Sequence, residues 1–295
     1  MSAAGLVDLH THSDCSDGVL TPAALVAAAA ARGVELLALT DHDCTRGCEA
    51  AARACLAAGM QFVAGAELTS LWRGREIHIV GLDLDPAHAP FQAHCAKVIE
   101  LRRARIVAIA QRLARAGLPG DSLAAQALKF PAPTRAHLAR SLCALGLAKD
   151  NQAAFDRYLK PGRPGHVPAQ WPELALAVQR IVAAGGLPVL AHPHRYRVAA
   201  GALRELVAEF KAAGGRGIEV SVTGMSPEQA DRSATLARRY ELAGSIGSDF
   251  HEPGLAWRPL GRFAKLPDRI TPITTLLQRS RSPSEPPMDT GRSQG

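Results

Sequence analysis

Short apolar runs alternate with segments of helical periodicity along most of the chain. The first run is followed by an alanine-rich segment over residues 21–32, in which Thr21 is placed as N-cap and Pro22 at the first helical position. Short, continuous apolar runs that are separated by helices are typical of the strands of a parallel sheet buried on both faces. The pattern therefore predicts an α/β fold, a βα barrel. The seven predicted strands are residues 5–10, 34–40, 61–66, 76–82, 187–191, 217–222 and 243–247.

The strand–helix rhythm stops between the fourth and fifth runs. Residues 97–165 show helical periodicity only, and they contain 13 Lys or Arg against 4 Asp or Glu, a net charge of +9, whereas the rest of the chain has a net charge of −2. Such a segment is either a solvated helical surface or an electropositive lid that attracts an anionic substrate, and its concentrated charge favours the lid. We expect a barrel of residues 1–97 and 166–278, an inserted helical cap of residues 98–165 and a disordered tail of residues 279–295.

The composition is that of an ordinary globular protein, with 295 residues, 47% hydrophobic and 21% charged. The sequence has neither an apolar run long enough to span a membrane nor the pattern of a signal peptide, so a cytoplasmic location without membrane contact is expected. The six cysteines form no CxxC pair and are expected to be reduced thiols.

Polar side chains cluster where the predicted strands end. In βα barrels the reactive residues lie at the face formed by the carboxyl ends of the strands. His10 and His12 are two residues apart in an extended segment, so both point to the same side and both can face one ion. Seven of the eleven histidines lie at such positions. Neutral imidazoles and carboxylates are ligands that Zn²⁺, Mn²⁺ and Fe²⁺ prefer, so the pattern predicts a multinuclear metal site. The candidates are His10, His12, Asp17, Asp41, His42, Asp43, Glu67, His78, His192, His194, Glu219, Asp249 and His251.

Six short motifs contain most of these candidate residues: "DLHTHSDCSDG", "LTDHD", "GAELTS", "IHIVGL", "LAHPH" and "GSDFH". They resemble the motifs of the PHP (polymerase and histidinol phosphatase) superfamily, and the helical insertion resembles that of its bacterial nucleotide bisphosphate phosphatases. The likeness covers about residues 6–262. The resemblance implies a distorted (β/α)7 barrel with an inserted small helical subdomain.

The same resemblance implies two or three divalent ions, with Mn²⁺ expected and Zn²⁺ or Fe²⁺ as alternatives. It implies three ligand sets that share Glu67, and it assigns phosphate binding and a catalytic role to Arg135 and His194. The implied ligand sets are His10, His12, Glu67 and Asp249; Glu67, His78 and His192; and Asp17, His42 and His251.

The implied reaction is hydrolysis of the bond between phosphorus and the ribose 3′-oxygen, with the 5′-phosphate held by the cap. A nucleoside 3′,5′-bisphosphate such as 3′-phosphoadenosine 5′-phosphate would give AMP and phosphate, and a short 5′-monophosphorylated single-stranded RNA would lose its 5′ nucleotide. No stable protein partner is inferred. The aromatic residues nearest the motifs, and so candidates for stacking on the base, are Trp72, Tyr196, Phe250 and Trp257.

Three alternatives stay open at this point. One is a phosphatase of another small phosphomonoester, of the histidinol phosphate type, although such a substrate needs no second phosphate clamp. Another is an amidohydrolase, whose barrel also begins with HxH; many of these bridge two metals with a modified strand lysine, whereas the first lysine here is Lys97. The third is a non-catalytic nucleic-acid-binding domain, in which a defective ligand set would be expected.

Overall fold

The computed structural model describes residues 5–254 and 259–278. Within them, seven strands form one sheet in chain order, with the neighbours β1-β2-β3-β4-β5-β6-β7. The predicted fold class, an α/β barrel of seven strands with a helical insertion, is confirmed. The strands are β1 (Leu6–Asp8), β2 (Val34–Leu39), β3 (Gln61–Trp72), β4 (Arg75–Leu82), β5 (Leu187–Leu190), β6 (Gly217–Val222) and β7 (Ala243–Gly247).

Helices connect most of these strands on the outside of the sheet. Helix α1 begins as its sequence indicates, since the Thr21 hydroxyl accepts a hydrogen bond from the backbone N–H of Ala24 and Pro22 is the first helical residue. The helices are α1 (Pro22–Ala30), α2 (Cys48–Ala57), α3 (Ala89–Arg115), α4 (Gly120–Ala127), α5 (Arg135–Ala144), α6 (Asn151–Ala154), α7 (Leu174–Ala183), α8 (Ala200–Ala212) and α9 (Pro227–Arg239). A π-helical turn, Phe155–Leu159, follows α6 directly.

The sheet is mixed, because β4 runs antiparallel to both β3 and β5. The expectation of a parallel sheet is wrong for β4. β3 continues to Trp72, six residues beyond its predicted end, and joins β4 through a tight turn at Arg73 and Gly74, whose φ angles are both positive. The reversed direction brings the first half of β4, with His78, to the face where the parallel strands end.

Hydrogen bonds near the carboxyl ends of β1 and β7 close the sheet into a barrel. The N–H of Leu9 donates to the carbonyl oxygen of Ile246 (3.1 Å), and the N–H of Asp249 donates to the carbonyl oxygen of His10 (2.8 Å). The buried carboxylate of Asp8 adds bonds from the N–H groups of Ser248 (2.8 Å) and Gly261 (2.9 Å). Side chains from six of the seven strands, or from the residue directly after a strand, fill the interior, including Leu9, Ala38, Val63, Val80, Val189, Ala191 and Ala243.

The regular secondary structure of the inserted segment, residues 98–165, is entirely helical, with turns between the helices, and the segment has a hydrophobic core of its own. Helix α3 packs Phe91 and Cys95 into the barrel's outer core and, about three turns later, Ile106 and Ile109 into the core of the insertion. The boundary at 97/98 therefore falls inside one continuous helix. We retain the division into barrel and cap as a proposal. The predicted tail at residues 279–295 lies outside the described residues. In the described part of the chain, no helix combines the length and apolar character needed to cross a membrane.

A buried ion pair fastens the cap to the barrel. Arg102 on α3 donates through Nε to Asp43 Oδ2 (2.8 Å), and its Nη2 lies 2.7 Å from the same oxygen and also donates to Thr69 Oγ1. Asp43 Oδ1 accepts the N–H of Thr69 (2.9 Å). Both charged side chains are almost completely buried. The pair fixes α3 over the loop that carries His42, so the position of the cap is tied to the strand ends.

Replacing Arg102 with methionine should lower the free energy of unfolding by about 3 kcal/mol, because it leaves the Asp43 carboxylate buried and unpaired. Urea denaturation monitored by circular dichroism measures the change. Arg115→Met, at an exposed position in the last turn of the same helix, is the control and should change the free energy by about 0.5 kcal/mol or less. Equal stability of the two variants would contradict a structural role for the buried pair.

Candidate metal centre and substrate pocket

The strand ends bring the nine predicted ligands into one cluster at the mouth of the barrel. The pair at the end of β1 behaves as its spacing predicts: the Nε2 atoms of His10 and His12 lie 3.1 Å apart. Around them, three groups of His, Asp and Glu side chains lie close enough for each group to hold an ion. The residues in these groups are His12, Asp17, His42 and His251; His10, His12, Glu67 and Asp249; and His42, Glu67 and His78.

In the group around His10, five of the six distances between ligand atoms are close to those of a metal-binding tetrahedron. The Nε2 atoms of His10 and His12 lie 3.4 and 3.3 Å from Glu67 Oε2, and 3.5 and 3.3 Å from Asp249 Oδ1. Four ligands at typical zinc bond lengths of about 2.0–2.1 Å have edges of about 3.3–3.4 Å. The four side chains are buried. Their arrangement therefore fits a divalent cation held among them.

The second group forms around Asp17 in the loop after β1. Its Oδ1 atom lies 3.3 Å from His251 Nε2 and 3.8 Å from His42 Nε2, and the Nδ1 atom of His12 is 4.0 Å away. This loop is held by Asp41, whose carboxylate accepts the Ser13 N–H (2.8 Å) and the Ser16 hydroxyl (2.6 Å). The resemblance assigned three of these side chains to one ion, and the fold brings them together.

The third group, His42, Glu67 and His78, uses both oxygens of Glu67. Oε1 lies 2.9 Å from His78 Nδ1, and Oε2 lies 3.1 Å from His42 Nδ1. His192, which the resemblance placed in this set instead of His42, lies outside the group, but its Nε2 atom is also 2.9 Å from Oε1. One carboxylate thus faces two of the ligand groups. Such an arrangement allows Glu67 to bridge two ions, the role that the resemblance implies for it.

The ionisation of the two carboxyl groups in the cluster also favours the binding of a cation. Burial raises the pKa of the Glu67 carboxyl, but His42, His78 and His10 hold it well below its usual range. Asp17 is held low in the same way, against its burial, by His42 and His251. Four buried atoms, His12 Nδ1, Asp17 Oδ1, His42 Nδ1 and His192 Nδ1, have no hydrogen-bond partner among the described residues. Ionised carboxylates beside unpaired nitrogens are costly to bury unless an ion satisfies them.

Backbone strain marks three positions at this mouth. Asp43, His192 and Asp249 have φ angles of 48°, 29° and 52°, in the left-handed region that non-glycine residues rarely adopt. Each follows a strand, and each is a proposed ligand or the direct neighbour of one. Strain of this kind is tolerated where surrounding contacts hold it, and it concentrates at functional sites.

Two residues outside the three implied ligand sets orient the ligands. Glu219 accepts a hydrogen bond from His10 Nδ1 (2.7 Å) and another from the backbone N–H of His192. Arg195 donates to Asp249 Oδ2. Partners of this type fix the orientation of the ligating imidazole or carboxylate. Glu219 was visible in the sequence at a strand end, whereas Arg195 follows His194 with no pattern that distinguishes it from a surface arginine.

A pocket of about 140 Å³ lies between the cluster and the cap. Asp17, His42 and His78 form its floor, and Arg135 approaches from the first turn of α5. Arg135 Nη2 lies 3.4 Å from Glu76 Oε1, and the Arg135 side chain is 30% exposed. Arg135, to which the resemblance assigns phosphate binding, thus lies at the pocket. Glu76, Arg105 and Trp171 also line the pocket and were missed, because they lie outside the strand-end motifs.

His194 lies in a short 3₁₀ turn, Pro193–Arg195, beside the ligand His192. Burial, with Arg195 and His192 adding to it, lowers the pKa of His194 to about 4. Its buried Nδ1 has no hydrogen-bond partner among the described residues. In the described part of the chain, His194 is not among the residues that line the pocket under the cap, unlike Arg135.

The aromatic residues nearest the motifs do not line this pocket where the structure describes them. Trp72 and Phe250 are buried in separate hydrophobic cores. The Tyr196 hydroxyl accepts the backbone N–H of His78 (3.0 Å). Trp257 lies outside the described residues. The aromatic rings that do line the pocket, Phe155 and Trp171, come from the insertion and the segment that follows it.

Comparison with known proteins agrees with this geometry. The family model described as "PHP domain" matches residues 8–120. A "5'-3' exoribonuclease" of Haemophilus influenzae is 41% identical over 266 residues, which cover 90% of this chain and 97% of the relative. A "3',5'-nucleoside bisphosphate phosphatase" of Chromobacterium violaceum is 42% identical over 274 residues, covering 92% and 96%.

Solved structures show the same similarity. A protein of Chromobacterium violaceum, described as an amidohydrolase with bound sulfate and no metal, superposes with a TM-score of 0.88 at 40% identity and covers 93% of this chain and 96% of its own. A protein of Bifidobacterium adolescentis, described as a putative metal-dependent phosphoesterase, gives a TM-score of 0.76 at 27% identity, with coverage of 92% and 93%. The chain therefore belongs to the PHP domain family of metal-dependent phosphoesterases.

Proposed function

We propose that this phosphoesterase hydrolyses the 3′-phosphate of nucleoside 3′,5′-bisphosphates and releases 5′-nucleotides from short 5′-monophosphorylated RNA. One observation carries the proposal: a cluster able to hold several cations forms the floor of a pocket whose opposite wall contains arginines of the cap. A substrate with two phosphates could place one of them at the cations and the other at these arginines. The names of the relatives in Haemophilus influenzae and Chromobacterium violaceum support the same pair of substrates.

Nine side chains would hold the ions: His10, His12, Asp17, His42, Glu67, His78, His192, Asp249 and His251. Divalent ions in such a site supply a nucleophile from water at neutral pH and charge stabilisation for the phosphoryl oxygens. Mn²⁺ is the ion we propose, with two or three per chain; imidazole and carboxylate ligands also suit Zn²⁺ and Fe²⁺.

The chain's own residues position the substrate. The Arg135 guanidinium can form two parallel hydrogen bonds with a phosphate, which fixes both its distance and its orientation. Its only ion-pair partner among the described residues, Glu76, lies at a long 3.4 Å, so little has to be broken when a phosphate binds. We propose that His194, beside His192, contributes a further hydrogen bond to the phosphoryl group. Arg195 and Glu219 keep Asp249 and His10 oriented during the reaction.

Hydrolysis of 3′-phosphoadenosine 5′-phosphate with added Mn²⁺ tests the proposal. Asp249→Asn should lower kcat by roughly 100-fold or more, because it removes a charged ligand. Arg135→Ala should raise KM by roughly 10- to 100-fold, because it removes a charged hydrogen-bond donor to phosphate. Steady-state phosphate release measures both.

The control is Arg115→Ala, which removes the same charge from an exposed position of the cap and should leave kcat and KM within about twofold. If the wild type and both site variants release no phosphate, the proposed reaction is wrong for this protein, and the alternative of a non-catalytic nucleic-acid-binding domain gains support.

A second substrate tests the direction of RNA cleavage. A short single-stranded oligoribonucleotide with a 5′-monophosphate should yield 5′-mononucleotides in order from its 5′ end, since the cap arginine needs that phosphate to hold the terminal nucleotide. The same oligonucleotide with a 5′-hydroxyl should react at least roughly 10-fold more slowly. Time courses separated on denaturing gels distinguish the two, and equal rates would contradict a role for the 5′-phosphate.

A further inference from the structure

Glu76 is an acidic side chain in a pocket built for anions. It lies two residues before His78 on β4, and since side chains at this spacing point to the same face of a strand, both face the pocket. A carboxylate repels phosphate oxygens at short range. The part of the substrate that approaches Glu76 therefore has to be uncharged and able to donate a hydrogen bond.

The two oxygens of Glu76 differ in how fully they are used. Oε2 accepts the Trp171 indole N–H (2.8 Å) and a hydrogen bond from Arg105 Nη1 (3.2 Å). Among the described residues, Oε1 has weaker partners: it accepts a long hydrogen bond from Arg135 Nη2 (3.4 Å), and His78 Nε2 lies 3.5 Å away. Oε2 is thus occupied in holding the cap against β4, whereas Oε1 retains the capacity to accept a short hydrogen bond.

The position of Oε1 indicates which part of the substrate it faces. It lies between His78, a proposed metal ligand, and Arg135, the proposed phosphate clamp. With the 3′-phosphate at the metal ligands and the 5′-phosphate at the cap, the sugar that joins them spans this interval. In a nucleoside 3′,5′-bisphosphate both the 3′- and 5′-oxygens are esterified, so the 2′-hydroxyl is the one free hydroxyl of the sugar.

We infer that Glu76 Oε1 accepts a hydrogen bond from the ribose 2′-hydroxyl and makes the enzyme select ribonucleotides over 2′-deoxyribonucleotides. The inference rests on the proposed function and adds a specificity-determining residue to it. The 2′-hydroxyl is the group by which a protein distinguishes RNA from DNA at a given position. A hydrogen bond to a charged acceptor supplies roughly 10- to 100-fold in discrimination.

The test compares kcat/KM for 3′-phosphoadenosine 5′-phosphate and its 2′-deoxy analogue. The wild type should prefer the ribonucleotide by roughly 10- to 100-fold, and in Glu76→Ala the preference should fall to within about threefold of unity. Glu76→Gln keeps the shape and a neutral acceptor, so its preference should lie several-fold below that of the wild type. This variant carries the test if Glu76→Ala does not fold.

Trp171→Phe is the matched control. It removes one of the two donors to Oε2 and leaves the partners of Oε1 in place, so it should slow both substrates alike and preserve their ratio. A purely structural role for Glu76 would likewise lower both rates and leave the ratio unchanged in Glu76→Ala, which would overturn the inference. Equal rates of the wild type on the two substrates would also overturn it, while the phosphatase activity would stand. If the wild type hydrolyses neither compound, the proposed function itself fails.

Discussion

The site depends on one buried carboxylate that is surrounded by imidazoles. Glu67 lies within 3.4 Å of nitrogen atoms from five histidines, which come from four different strands or their loops. Burying so many polar groups is unfavourable unless each finds a partner. Divalent cations bound among them would satisfy both oxygens of Glu67 and the facing nitrogens together. The barrel supplies the rigid frame, since its strand ends fix where each ligand stands.

The cap turns this cluster into a selective pocket. The Arg102–Asp43 pair fastens α3 to the loop that carries His42, and Thr134 donates to Asp17 Oδ2 (3.0 Å) from the start of α5. Both contacts join the basic segment to loops that hold proposed ligands. The position of Arg135 is thereby set relative to the metal ligands, which is what a substrate with two phosphates a fixed distance apart requires.

Most of the fold and of the ligand cluster could be predicted from the sequence. Seven apolar runs indicated the seven strands, and the HxH spacing placed His10 and His12 on one side. The direction of β4 could not be predicted in this way. Residues 67–72 mix polar and apolar side chains, so the apolar run that predicted β3 ends before the hairpin that joins β3 to β4. Glu76, Arg105 and Trp171 were missed for a related reason: they act through contacts between segments distant in sequence, which no local spacing records.

Metal occupancy tests the central claim most directly. Crystals grown with Mn²⁺ and measured at its absorption edge should show at least two anomalous peaks in contact with Glu67 or Asp17, one of them enclosed by His10, His12, Glu67 and Asp249. Absence of anomalous density beside Glu67, in crystals of protein that is folded and saturated with Mn²⁺, would contradict the account.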